Sequence, residues 1–156
     1  MGSDMNSRNR RMGFTIVELL IVVVVIAILA TIAIVSYNGI SVRARDTDRV
    51  TDINTIQKKL EVFYATNGYY PSAADMSTTT YRTTTLDLPM SATSPPGSVN
   101  QISYCWATHP QTYCYVPARA SGLSGDCFTA AEKCISYVLS YWLEAQTGVR
   151  YAYSAN

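Results

Sequence analysis

Three groups of side chains here are of types that do chemistry: a lone carboxylate, four cysteines and a cluster of arginines. Glu18 is the only charged residue between Arg11 and Arg43. An ionised carboxylate in so apolar a run is expensive, which marks it as a residue with a role. The cysteines, Cys105, Cys114, Cys127 and Cys134, are separated by eight, twelve and six residues. They form no CxxC knuckle, and the single histidine, His109, abuts Pro110 like a turn residue, so zinc is not indicated. There is no Ser-His-Asp set and no phosphate-binding glycine loop, so no catalytic residue, metal or cofactor is expected. Arg43, Arg45 and Arg49 interleave with Asp46, Asp48 and Asp52. That pattern reads as a solvated helix face with local ion pairs. With a net charge of +1 for the whole chain, no nucleic-acid partner is expected.

The element that must position Glu18 is a membrane span. From Leu19 to Val42 the chain has 24 residues without a charge or a proline, against roughly 20 needed to cross a hydrocarbon core of about 30 Å. Such a span must be helical, because lipid cannot satisfy backbone polar groups. Arg8, Arg10 and Arg11 precede it and hold the N-terminus in the cytoplasm. A secretory signal peptide fits poorly, since its apolar core is shorter and its cleavage site follows that core. An ordinary single-pass anchor fits the span but has no use for a carboxylate one turn inside it.

Gly13-Phe14-Thr15-Ile16-Val17-Glu18, between the basic stub and the apolar run, resembles the N-terminus of type IV prepilins and the related pseudopilins. The resemblance covers roughly residues 8 to 40. It implies a leader, residues 1–13, removed by a prepilin peptidase that cuts after Gly13 and N-methylates Phe14. Phe14 and Glu18 then stand at i and i+4 on one helix face. The new α-amino group is cationic, stays so on methylation, and can neutralise Glu18 within the chain or from a neighbouring copy. A buried charge left unpaired is strongly disfavoured, so the pairing offers register and polarity among packed helices. The resemblance implies a structural subunit of a type IV pilus or pilus-like filament, not an enzyme. Its partners would be copies of itself, the prepilin peptidase/methyltransferase, the pilus assembly platform and the membrane. The subunit would wait in the cytoplasmic membrane and end in a cell-surface filament. A pseudopilin of a secretion or competence machine shares the architecture, and a membrane-anchored binding domain that never polymerises is the reading of another class.

Beyond the span, apolar residues recur at Val50, Ile53, Ile56, Leu60 and Phe63, steps that mark one helical face. Asp52, Lys58, Lys59 and Glu61 read as the opposite face. Asn67-Gly68 supplies a stop, because glycine tolerates the left-handed conformation, and Asn67 to Pro71 resembles the segment that closes the long helix of many pilins. One helix is therefore expected over 14–66, its part 14–42 in the membrane, with Gly39 as the nearest candidate for a local bend. Residues 67–101, rich in threonine and ending in Ser94-Pro95-Pro96-Gly97, read as a connecting loop. Residues 102–156 read as an antiparallel sheet of two hairpins: Ile102–Thr108 with Thr112–Val116, and Ile135–Leu143 with Val149–Tyr153 after the Thr147-Gly148 turn. The expected fold is α+β, a long N-terminal helix packed on a small C-terminal sheet. The many tyrosines read as cross-strand packing with hydroxyls reaching solvent.

If the N-terminus lies inside, all four cysteines are exported, and an even number there reads as two disulfides. Three connectivities are open. A hairpin centred on His109-Pro110 places Cys105 opposite Cys114, at a cross-strand separation that a disulfide can bridge after a small adjustment. That register favours Cys105–Cys114 with Cys127–Cys134. The second bridge needs its segment to curl, since a continuous helix would hold positions seven apart at about 10.5 Å.

Overall fold

The computed structural model describes residues 13–105, 111–119 and 127–155. The basic stub with its three arginines and the His109-Pro110 turn lie outside the described residues. One long helix, α1 (Ile16–Asn67), is followed by α2 (Ala73–Ser77) and by three strands, β1 (Cys114–Ala118), β2 (Ser136–Leu143) and β3 (Gly148–Tyr153). The architecture is α+β, as the sequence implies. The chain divides into two units at Asn38 and Gly39.

The first unit is helix, and its apolar side chains from Ile16 to Ile34 stand exposed to whatever surrounds them. By length and composition it can cross a membrane. Threonine lowers helix propensity by competing for backbone groups. Here Thr31 turns its hydroxyl back onto the Ile28 carbonyl at 2.7 Å, leaving no polar group loose in an apolar setting.

In the second unit α1 buries Ile53, Ile56 and Leu60, each at most 2% exposed, against Tyr113, Tyr115, Tyr137 and Leu139. Phe63 packs on the edge of this core, while Val50 stays 37% exposed. The helix stops where Gly68 takes a φ of 74°. The Gly68 N–H donates to the Tyr64 carbonyl at 2.7 Å and the Asn67 side chain to that of Phe63 at 2.9 Å, which satisfies carbonyls left open by the helix end.

The strand order is β1-β2-β3, antiparallel throughout, with Val116 opposite Val138 and Ser140 opposite Tyr151. The second expected hairpin is present, with Thr147 at a φ of 41° in its turn. The first is not. Residues 102–105 form no strand, and Ser103 meets Cys114 in a single parallel bridge. The cause is the approach of the chain: the Ile102 N–H is tied to the Thr93 carbonyl at 2.6 Å and its side chain is buried. Ser103 therefore runs alongside β1, accepting from the Tyr115 N–H while donating to the Tyr113 carbonyl. β1 pairs with β2 instead.

The expected loop at 67–101 also differs, because much of it is short helix. Ser72 and Asp75 exchange hydrogen bonds in a capping box that opens α2, a reciprocal arrangement that satisfies two orphan donors. A π-type turn follows at Tyr81–Thr85 and a 3-10 turn at Met90–Thr93. They wrap Arg82, 1% exposed, whose guanidinium donates to the Met76 carbonyl, Thr79 Oγ1 and Gln101 Oε1. Threonines 83 and 84 bond carbonyls of their own turn.

Leu60 is fully buried at the centre of the helix–sheet contact. Leu60→Ala is expected to lower the unfolding free energy by about 2–5 kcal/mol, measured by denaturant unfolding, with membrane insertion unchanged.

Candidate functional site

The start of α1 is built by two side chains. Thr15 precedes the first helical residue and Glu18 is the third inside it. The Thr15 N–H and hydroxyl both donate to Glu18 Oε2, at 2.9 and 2.7 Å, and the Glu18 N–H donates to Thr15 Oγ1 at 3.2 Å. This is a reciprocal capping box, so donors that the helix start leaves open are met without water. Negative charge in the first turn also suits the positive end of the helix dipole. Thr15 is the functional residue that the reading of Glu18 misses, although a Thr-x-x-Glu spacing before an apolar run is itself a sequence signal for such a cap. The view that a plain anchor gains nothing from Glu18 is corrected accordingly: the carboxylate closes the helix start in any setting.

Among the described residues Glu18 Oε1 has no hydrogen-bond partner, since both Thr15 bonds fall on Oε2. Phe14, one residue before the cap, is 84% exposed. A Cβ at Gly13 would meet nothing within 4 Å, so nothing in the described chain itself calls for glycine there. Any requirement comes from a partner that grips the backbone closely.

The cysteines belong to the second unit. Cys105 is joined to Cys114 with Cα atoms 5.2 Å apart, and Cys127 to Cys134 at 5.8 Å. The latter ring curls between its two cysteines, where Glu132 accepts from the N–H groups of Phe128 and Thr129 and ion-pairs with Arg119. The ring then clasps the chain leaving α1. The Cys134 carbonyl takes the Tyr70 N–H at 2.7 Å, and those of Cys127 and Phe128 take the Ala73 and Ala74 N–H groups at 3.0 Å. Among the described residues no three His, Cys, Asp or Glu side chains are placed to hold a metal ion.

The charged stretch after the span is not the solvated face the sequence suggests. Arg49 is 3% and Asp46 9% exposed. Arg49 bridges Asp46 at 2.9 Å and Glu144, and Arg45 forks onto Glu144 at 2.6 Å. Asp46 accepts from the Glu144 and Ala145 N–H groups at 2.8 Å each. The Arg45 guanidinium, with Arg49 behind it, holds the Glu144 carboxyl down to about 2. Glu144 lies more than ninety residues away in sequence, so no local pattern announces it.

The tyrosine hydroxyls depart from expectation in the same way. Tyr113 donates to Asp52 at 2.8 Å, Tyr70 and Tyr137 to Glu61 at 2.8 and 2.9 Å, and Tyr115 to the Pro71 carbonyl at 2.7 Å. Asp52 and Glu61 therefore border the core. Burial pushes the Asp52 carboxyl up, against the pull of the Tyr113 hydroxyl, and burial likewise raises the Tyr113 and Tyr137 hydroxyls. Tyr151 and Tyr153 do keep much of their surface, 57% each, exposed.

Residues 8–34 match the family described as the prokaryotic N-terminal methylation motif. The chain carries a prepilin-type N-terminus. Similar proteins include the type II secretion system core protein G of Escherichia coli K12, 28% identical over 68 residues, 44% of this chain and 47% of the relative. That of Vibrio cholerae is 31% identical over 68 residues with the same coverage, and that of Aeromonas hydrophila 29% over 65 residues, 42% and 46%. The chain thus spans less than half the length of the curated relatives it matches. No solved structure matches it.

Two predictions arise. Glutamine can replace glutamate in a capping box, so Glu18→Gln keeps the cap and removes the charge, whereas Glu18→Val removes both. Both variants are expected to insert in the membrane and to enter filaments poorly; wild-type incorporation of Glu18→Gln, measured on sheared fibres, would show that the cap alone matters. For Glu144 the folded-state carboxyl is depressed, so its contribution is present above about pH 4.5 and lost as pH falls toward 2. Glu144→Gln should cost about 1–3 kcal/mol at neutral pH, and the difference from wild type should vanish in acid unfolding curves near pH 2.

Proposed function

We propose that this chain is a structural subunit of a type IV pilus or pilus-like filament, assembled out of the cytoplasmic membrane through α1. The observation that supports it most is the methylation segment at 8–34 leading directly into a helix whose first turn keeps one carboxylate oxygen unbonded. A prepilin peptidase would cut between Gly13 and Phe14 and N-methylate Phe14. The amine so formed keeps its positive charge and sits one turn from Glu18. The subunit would wait with its N-terminus in the cytoplasm and its second unit across the membrane, then join copies of itself on an assembly platform.

In lipid the helix gains nothing by hiding apolar surface from water. Association must come from close packing and from polar pairing, and a single acid–amine pair per subunit supplies the latter. The similar proteins are type II secretion proteins by name, which favours a secretion pseudopilus over a surface pilus as the filament.

The test is electron microscopy of sheared or overproduced fibres combined with mass analysis of their subunit. The expected subunit begins at N-methylated Phe14 and has lost 13 residues. Loss of those residues takes away three arginines and Asp4, two positive charges net, changing the side-chain total from +1 to −1. Membrane protein with an intact Gly13-Phe14 bond, and no fibres, would overturn the reading in favour of a non-polymerising anchored domain. Deletion of the gene that blocks protein export and spares surface pili selects the secretion form.

A further inference from the structure

Between α1 and the turn joining β2 to β3 lies a groove of about 590 Å³. Its helix wall carries Arg43, Asp46, Thr47 and Val50, one helical face, and its far wall Leu143 and Gln146 among others. The charges in it are unbalanced. Asp46 is spent on Arg49 and two backbone N–H groups, and Glu144 on Arg45 and Arg49. Arg43 is exposed and meets no carboxylate among the described residues. Arg150 donates to Gln146 Oε1, so the amide N–H groups of Gln146, which lines the groove, are not used in that bond. Asp48 lines a different cavity with Ser91 and Ser94. Among the described residues Arg43 is thus the one cation lining the groove, and the one acid there, Asp46, is already paired with Arg49.

The groove's place along α1 says what can. Ile40 and Val42, the last apolar residues of the span, belong to the same unit as the groove. Arg43 is the next residue. The headgroup layer on each side of a bilayer is about 5–7 Å thick, and Arg43 to Thr47 rises about 6 Å. Val50, about 10 Å along the helix from Arg43, is beyond the thickness of such a layer, which leaves Arg43 and Thr47 as the helix residues of the groove within it. We propose that this groove holds the headgroup of an anionic phospholipid while the chain waits in the membrane, a reading that rests on residues 14–42 spanning that membrane. Arg43 and the Gln146 amide donate to the phosphate, and Arg150 adds to the field. The headgroup fixes the β2–β3 turn against the bilayer surface, and extraction into a filament requires that contact to be released.

The test uses the full chain with Trp106→Phe, so that Trp142, two residues before Glu144, is the sole tryptophan. It is reconstituted in phosphatidylcholine vesicles with and without phosphatidylglycerol, and quenched by a headgroup-nitroxide lipid. Quenching is expected with phosphatidylglycerol present, to fall about two-fold or more on adding molar salt or on Arg43→Gln, and to return with Arg43→Lys. Equal quenching of Arg43→Gln and the parent, in chains that resist alkaline extraction, overturns the headgroup site and leaves the membrane reading intact. Chains that wash off the vesicles overturn both. An effect of Arg43 that appears only at high protein-to-lipid ratio assigns the groove to a second copy and overturns the lipid.

Discussion

Three carboxylates on α1, Asp46, Asp52 and Glu61, hold the rest of the second unit in place. Each is drawn partly out of water, and such a group keeps its charge only if donors reach it. Apart from Tyr70, the donors lie more than sixty residues further along the sequence. Asp46 takes two N–H groups of the β2–β3 turn, Asp52 the Tyr113 hydroxyl beside β1, and Glu61 the hydroxyls of Tyr70 and Tyr137 together with the Ala155 N–H. Hydrophobic burial of Ile53, Ile56 and Leu60 brings sheet and helix together but is indifferent to a small slide. The carboxylates are directional, and a slide of the sheet by one residue along α1 would part Asp46 from the β2–β3 turn, Asp52 from Tyr113 and Glu61 from Tyr137. The sheet's register on the helix is therefore set by polar groups, while apolar groups supply the attraction.

The same helix serves a second environment with different chemistry. Residues 14–42 contain one charge, Glu18, while residues 43–156 carry nine cations and nine anions. Were residues 1–13 removed, as proposed, Glu18 would be the one side-chain charge left unbalanced in the net count. A new amine at Phe14 is the group that would bring the balance to zero, and it would arise one helical turn from the only residue that needs it. With its side-chain charges balanced, the second unit has no net charge that would push copies of it apart.

What was legible in the sequence was local. The periodicity of α1, its stop at Gly68, and strands β2 and β3 with their turn each rest on residues within a few positions of one another, and the α+β arrangement follows from them. Gly13-Phe14 and Glu18 stand out for the same reason. What was not legible depended on distant partners. Arg49 and Asp46 read as a solvated face because Glu144 lies far along the chain. The tyrosine hydroxyls read as solvent-facing because the acids that receive them are on α1, up to 76 residues away. The hairpin at His109-Pro110 looked local, but Ile102 is held by Thr93, so the partner of β1 is β2. The short helices in 67–101 were hidden by composition, since threonine marks loops in general. Here it bonds its own turn around a buried arginine that no neighbouring residue foretells.

Glu18 shows how a costly residue can have its cost reduced before its function is considered. A carboxylate deep in a span demands a counter-charge, but one at the third position of a helix already answers two deficits of that helix. It accepts the Thr15 N–H, which would otherwise lack a partner, and it sits at the positive end of the dipole. An acid at this position is thus compatible with a plain anchor, and its presence alone does not imply a filament. The discriminating feature is the geometry of its two oxygens. A cap needs one, and Thr15 uses one, Oε2, for both of its bonds. The other oxygen carries half of a charge with no donor among the described residues. A capping role alone would be served as well by glutamine, which is neutral and can cap in the same way. The second oxygen, which neither the cap nor glutamine in its place would need, is what argues for a cationic partner, and an amine at Phe14, were the proposed cleavage to create it, would stand one turn away.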